Sequence, residues 1–180
     1  NQIGANDNLI FDGSSFILDK NGSKIKQLKS FSEDFSSWEI EQTKPEKNKF
    51  ENSEMSSIFD ALVLGVRDYA KKCGFKTALI GLSGGIDSAL VSVIATAALG
   101  NNNVYCVSMP SKWSSSHSKS DAKDLASRLK MNFNTIPIEN LMTSFEESFI
   151  KSINFEMAEI TNQNIQSRIR GNILMALANQ

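Results

Sequence analysis

A doubly wound α/β fold with a parallel sheet is predicted from three observations. A short continuous apolar run at Thr77–Leu82 reads as a buried parallel strand, Val104–Met109 as a second buried strand and Phe133–Ile138 as a third strand. Segments with helical spacing separate them, and strand–helix alternation implies parallel pairing with right-handed crossovers. Between the first run and its helix lies Ser83-Gly84-Gly85-Ile86-Asp87-Ser88, a glycine loop at the carboxyl end of a buried strand, where such folds bind ligands.

The elements follow in order. Ser14 to Leu18 reads as a strand, Asp19-Lys20-Asn21-Gly22 as a turn and Ser23 to Leu28 as the returning strand of a β-hairpin. A lone hairpin is marginal in water, so this tail is expected to complete a sheet with strands upstream. Residues 29–54 are rich in Lys, Glu, Ser and Asn, show little periodicity and read as a linker. Phe31, Phe35, Trp38 and Phe50 are expected to pin it to a neighbouring surface. The α/β domain is expected over 55–180. Its first helix places Ile58, Leu62, Val63, Val66, Tyr69 and Ala70 on one face, and Gly74 stops it. Further helices are predicted over Asp87–Leu99, around Ala122, Leu125, Ala126 and Leu129, over Leu141–Ile150 and over Asn162–Ala178.

Bulk composition narrows the function. With 180 residues, 41% hydrophobic and 22% charged, the chain can bury a sizeable core and is not disordered as a whole. The formal charge of −1 carries no global basic field, which argues against nucleic acid as a partner; anion binding must come from local geometry. No apolar run is long enough to span a bilayer, and no signal peptide is visible. The two cysteines, Cys73 and Cys106, form no CxxC pair and read as reduced, part-buried thiols of a cytoplasmic protein. The sequence begins at Asn1 without a methionine and ends within a helical pattern, so a fragment of a longer protein is expected.

The glycine loop carries the chemistry. Two glycines allow a tight turn that exposes successive N–H groups, and the following helix adds its positive end. Ser83 and Ser88 add hydroxyl donors, completing a cradle for phosphate oxygens. Asp87 would repel an anion unless a cation such as Mg²⁺ bridges it to the phosphates, which makes Asp87 the candidate metal ligand. The loop lacks the lysine of a Walker A motif, and GxGxxG is absent. The plainer alternative is a turn at Gly84-Gly85 with Asp87 capping the helix.

This loop resembles the pyrophosphate-binding loop of the N-type ATP pyrophosphatases, which include NAD synthetases, GMP synthetases, asparagine synthetases and tRNA-thiolating enzymes. Within that superfamily, Gly81 to Leu90, Met109-Pro110-Ser111 with the serine run after it, and Asn162-Gln163-Asn164-Ile165-Gln166-Ser167-Arg168-Ile169-Arg170-Gly171 look like the NAD synthetases. Residues Asn1 to Ser15 resemble the end of the nitrilase-like glutaminase domain that precedes the synthetase domain in glutamine-dependent members.

The resemblance implies an adenine nucleotide alpha hydrolase-like, Rossmann-like fold and a ligase that adenylates deamido-NAD⁺ and amidates it with ammonia drawn from glutamine. It implies ATP on Gly81, Leu82, Ser83, Gly84, Gly85, Ile86, Asp87 and Ser88. Asn164 and Arg168, four apart on one helix face, would contact deamido-NAD⁺. Ser108 to Ser116 would flank the adenine or ribose. The Cys-Glu-Lys triad of the glutaminase would lie upstream, so no catalytic residue is assigned here, and a homo-oligomer of at least two copies is expected. The family's later Thr-Gly-Asn segment would lie past Gln180, so this stretch alone is not expected to turn over. Ser83 as a nucleophile and His117 as a base are weaker readings, and Trp113 either packs over the nucleotide or covers the loop. His117 sits in a polar loop and reads as a surface residue, and the role of Arg170 is open. The alternatives are another N-type ATP pyrophosphatase, GMP synthetase-like or tRNA-modifying, or a nucleotide-binding module without turnover. The lack of paired cysteines argues against sulfur chemistry on RNA.

Overall fold

The computed structural model describes residues 1–39, 53–154 and 157–180. Most of the predicted linker, including Phe50, lies outside the described residues. By packing, the chain divides into two units, Asn1–Phe75 and Lys76–Gln180.

The first unit is built from two hairpins and a helix. Strands β1 (Ile3–Asn6) and β2 (Leu9–Asp12) pair antiparallel around a turn in which Asp7 is left-handed, at φ 52°. Sequence reasoning missed this hairpin, although Asn6-Asp7-Asn8 is a turn signal of the ordinary kind. The predicted hairpin is present as β3 (Phe16–Leu18) and β4 (Lys24–Gln27). Asp19 organises its turn: Oδ1 accepts from the N–H groups of Asn21 and Ser23, both at 2.8 Å, while Gly22 takes φ 81°.

Helix α1 (Glu54–Cys73) starts at Ser53, whose hydroxyl accepts from Ser56 N–H, and ends at left-handed Gly74. It packs on β1 and β2, where the Asp68 carboxylate accepts from Ala5 N–H at 2.8 Å. Its buried residues are Val63, Leu64 and Ala70, whereas Ile58, Leu62, Val66 and Tyr69 stay exposed. The predicted apolar face is therefore rotated, because the Asp68–Ala5 bond and the contact of Ile10 with Gly65 fix which side meets the hairpin. Of the linker aromatics, Trp38 lies under the Lys26 ammonium, while Phe35 is 89% exposed and pins nothing among the described residues.

The second unit is the α/β layer structure. Strands β5 (Ala78–Gly81), β6 (Val104–Ser108) and β7 (Asn132–Thr135) form a parallel sheet in the order β5-β6-β7. β7 stops at Thr135, earlier than the sequence suggested. Ile136 and Ile138 still bond across to Ser108 and Pro110. Helices α2 (Ile86–Leu99), α3 (Ser116–Leu129), α4 (Glu139–Ile153) and α5 (Glu159–Ala178) follow the strands.

Alternation along β6 sorts the core into two clusters, because successive strand side chains point to opposite faces. Val104 and Cys106 join Leu82, Ala95, Ala122, Ala126 and Met131 beneath α2 and α3. Val107 and Met109 join Ile138, Met142 and Ile169 beneath α4 and α5. Helices thus cover both faces of the parallel sheet, as the apolar runs required. Small residues on α2 permit close approach: Ser92 is fully buried and returns its hydroxyl to the Ser88 carbonyl at 2.8 Å.

The cysteines differ more than composition suggested. Cys73 is exposed; Cys106 is buried, and burial pushes its thiol above the ordinary value. Because the thiolate is the reactive species, a disulfide reagent at neutral pH is expected to titrate Cys73 in the native protein and Cys106 only after unfolding in denaturant. Two equally fast thiols in the native state would contradict this packing.

Candidate functional site

Strand β5 delivers the loop to the edge of the sheet. Leu82 is 1% exposed and its N–H bonds to the Val107 carbonyl at 2.9 Å, extending the ladder by one residue. The chain then leaves the sheet at Ser83. Gly84 takes φ 84°, and Gly85 is the N-cap of α2 with no side-chain cap. The first-turn N–H groups of α2 thus receive no capping side chain, an arrangement suited to an anion.

The serines hold the loop in shape. Ser83 Oγ accepts from Gly85 N–H at 3.2 Å and lies 3.0 Å from Ser88 Oγ. Ser88 Oγ donates to the Gly85 carbonyl at 2.9 Å and accepts from Ser83 N–H at 3.3 Å. The expectation that both hydroxyls serve the phosphate directly is thereby modified: they first brace the turn. A Ser83 nucleophile is also poorly served, since none of its hydrogen-bond partners is a general base.

Gly84 is demanded twice. Its φ disfavours any side chain, and a methyl group there would overlap the main chain of Ser118 in the first turn of α3. The N-termini of α2 and α3 therefore meet at the loop. Ser115 caps α3 by accepting from Ser118 N–H at 3.0 Å.

A cleft of about 360 Å³ opens at the carboxyl ends of β5 and β6. Gly81, Leu82 and Ser83 form one wall, Val107 to Pro110 the next, and Ser114, Ser118 and Lys119 a third. Arg170 and Leu174 from α5 close it. Gly81 allows that closure, for a Cβ there would stand 3.3 Å from both Leu174 and Met109 side chains. Arg170 is half-buried; its Nε donates to the Met109 carbonyl at 3.1 Å, and burial lowers its affinity for the proton.

The predicted residues divide across this geometry. Gly81, Leu82 and Ser83 line the cleft. Gly84, Gly85, Ile86, Asp87 and Ser88 continue round the loop into α2, with Ile86 80% exposed and Asp87 exposed in the first turn. Ser108, Met109, Pro110 and Ser114, predicted to flank the nucleotide, also line the cleft. Asn164 and Arg168 share a face of α5, where Arg168 Nη1 donates to the Asn164 carbonyl at 3.3 Å, but both are exposed and outside the cleft lining. Sequence reasoning left out Lys119 and left Arg170 open; nothing in local sequence marks which residue of a helix will face a cleft. His117 is exposed in the first turn of α3 rather than in a loop. Trp113 is 56% exposed with Lys112 Nζ 4.4 Å from its ring centre, and it does not line the cleft.

For a divalent cation, the described residues contain no cluster of three His, Cys, Asp or Glu. The exposed Asp87 carboxylate beside the loop fits the mode in which Mg²⁺ takes one protein carboxylate and completes its shell with phosphates and water.

Gly84→Ala tests the loop. Left-handed strain of about 1–2 kcal/mol, added to the overlap with Ser118, is expected to lower stability in urea unfolding and weaken nucleotide binding in calorimetry. Unchanged values for both would show that the loop does not need the close approach.

Comparison with known proteins identifies the family. The family model described as NAD synthase matches residues 58–180. A glutamine-dependent NAD(+) synthetase of Synechocystis sp. is 44% identical over the whole chain, and one of Rhodobacter capsulatus is 40% identical. The chain covers 33% and 34% of these two proteins, so it spans about a third of the curated relatives it matches. Among solved structures, glutamine-dependent NAD+ synthetase from Acinetobacter baumannii, in complex with ADP, superposes with a TM-score of 0.87 at 36% identity. That match covers 99% of this chain and 35% of the other. Loop, cleft and family match agree, and the chain belongs to the NAD synthase family.

Proposed function

We propose that this chain is the junction and first part of the synthetase domain of a glutamine-dependent NAD⁺ synthetase, a cytoplasmic ligase that acts as at least a homodimer. The glycine loop opening onto the cleft carries this reading, and the ADP complex of the Acinetobacter baumannii relative supports it. In this reading residues 1–28 end a glutaminase domain, 29–54 link and 55–180 begin the synthetase. No helix among the described residues is long and apolar enough to cross a membrane. The family match favours NAD synthesis over the GMP synthetase-like, tRNA-modifying and non-catalytic readings.

ATP lies with its phosphates on Gly81 to Ser88. The nicotinate carboxylate of deamido-NAD⁺ attacks the α-phosphorus, forming an acyl-adenylate as the bond to pyrophosphate breaks. Ammonia, released from glutamine in the upstream domain, attacks the acyl carbon; AMP leaves and a proton is lost, giving NAD⁺. The main-chain N–H groups of the first turn of α2, which receive no capping side chain, stabilise negative charge on the departing pyrophosphate. Ser83 and Ser88 keep those donors aimed by bracing the turn. Gly81, Leu82 and Ser83 hold the phosphates against the strand end, and Asn164 and Arg168 on α5 receive deamido-NAD⁺ from outside the cleft. Mg²⁺, when bound, would be held by Asp87 and would neutralise phosphate charge.

With full-length protein, ATP and deamido-NAD⁺, chromatography is expected to detect NAD⁺ and AMP in equal amounts, with either glutamine or ammonia as nitrogen source. Absence of NAD⁺ with both donors would refute the proposed activity. Asp87→Asn is expected to cut turnover by roughly 100-fold or more, while the folded state loses less than about 1 kcal/mol of helix-dipole stabilisation. Wild-type rates in that variant would remove Asp87 from the metal site.

A further inference from the structure

Arg170 is the cation set most firmly into the cleft. Its helix is anchored by Ile165 and Ile169, which pack into the second core cluster, so the backbone beneath it is rigid. The side chain runs to the end of β6, where Nε donates to the Met109 carbonyl at 3.1 Å. Nη2 reaches Gln166 Oε1 at 3.4 Å. Both acceptors are neutral, and a guanidinium has more donors than these two bonds use. No carboxylate of a described residue pairs with it; the side-chain ion pairs Arg128–Asp124 and Lys151–Glu147 lie on exposed helix faces. Burial lowers the guanidinium's proton affinity with no neighbouring charge to offset it.

A half-buried cation without an anionic partner is costly to keep. Its place at the wall facing Gly81, Leu82 and Ser83 suggests what offsets the cost. We propose that Arg170 is a ligand-contacting residue, the fixed counter-charge for a phosphoryl group bound in the cleft, with the Met109 carbonyl holding its planar fork in place. The inference rests on the nucleotide reading of the cleft and adds to it a residue and a role. It also makes α5 a shared element, with Arg170 at the nucleotide and the Asn164/Arg168 face turned outward.

The test measures affinities of full-length wild type, Arg170→Gln and Arg170→Lys for ADP, inorganic pyrophosphate and adenosine, with thermal unfolding as a check on folding. Arg170→Gln is expected to weaken ADP and pyrophosphate by roughly tenfold or more and to leave adenosine, which has no phosphate, unchanged. Arg170→Lys keeps the charge but not the Nε bond, and is expected to recover part of the ADP affinity. Equal loss of adenosine and ADP in Arg170→Gln would make Arg170 a structural tether and overturn the proposal, as would unaltered ADP binding. Wild-type protein that binds neither ADP nor pyrophosphate would overturn the nucleotide reading itself, and the proposal with it.

Discussion

The close approach of Gly84 to the main chain of Ser118 is the constraint around which the site is arranged. Two helices on the same face of a sheet ordinarily keep side chains between their ends. Here a left-handed residue without a side chain brings the loop before α2 against the first turn of α3. The two N-termini then converge beside the cleft, and their partial positive charges add where an anion would sit. A third contribution comes from the opposite face, through Arg170. In the proposed reading these helix ends and Arg170 supply the local positive charge, set against the Asp87 carboxylate in the first turn of α2, in a chain whose formal charge is −1.

Strand β6 makes that convergence possible. It is the middle strand of the sheet, and its alternate residues commit one set of side chains to α2 and α3 and the other to α4 and α5. Burying a residue such as Val104 or Ile138 contributes about 1.5–3 kcal/mol, so both layers are held firmly against one strand. Its last residue, Ser108, and Met109 just after it line the cleft. The Met109 carbonyl there accepts from Arg170, and the Ser108 carbonyl from Ile136 N–H. Catalytic sites in open α/β sheets depend on such strand ends because rigid pairing stops there while main-chain groups remain available.

Much of this was legible in the residues, for reasons that differ from place to place. β5 and β6 were legible because their residues are largely apolar, whereas β7 is an edge strand with three of its four residues exposed. The glycine loop announced itself because few residue types tolerate its backbone. Helix α1 shows where pattern reading fails: its apolar residues are broad enough to fit several faces, and the one that meets the hairpin carries the Asp68–Ala5 bond and Gly65 beside Ile10. The β1–β2 hairpin was overlooked because its strands are short and only weakly alternating. For the site, the loop could be named residue by residue, but the cleft walls could not. Whether Arg168 or Arg170 faces inward depends on the rotation of α5 about its axis, set by Ile165 and Ile169 packing against distant strands.

That rotation has a further consequence. Helix α5 has three separate duties on one cylinder: an apolar stripe toward the core, Arg170 toward the cleft and Asn164 with Arg168 toward solvent. Each residue advances the helix by about 100°. One residue inserted between Asn164 and Ile169 would leave no rotation that serves all three duties. Substitutions on α5 can be absorbed singly, but changes of length cannot. Among homologous sequences, this segment should therefore drift in composition while holding its length from Asn164 to Leu174.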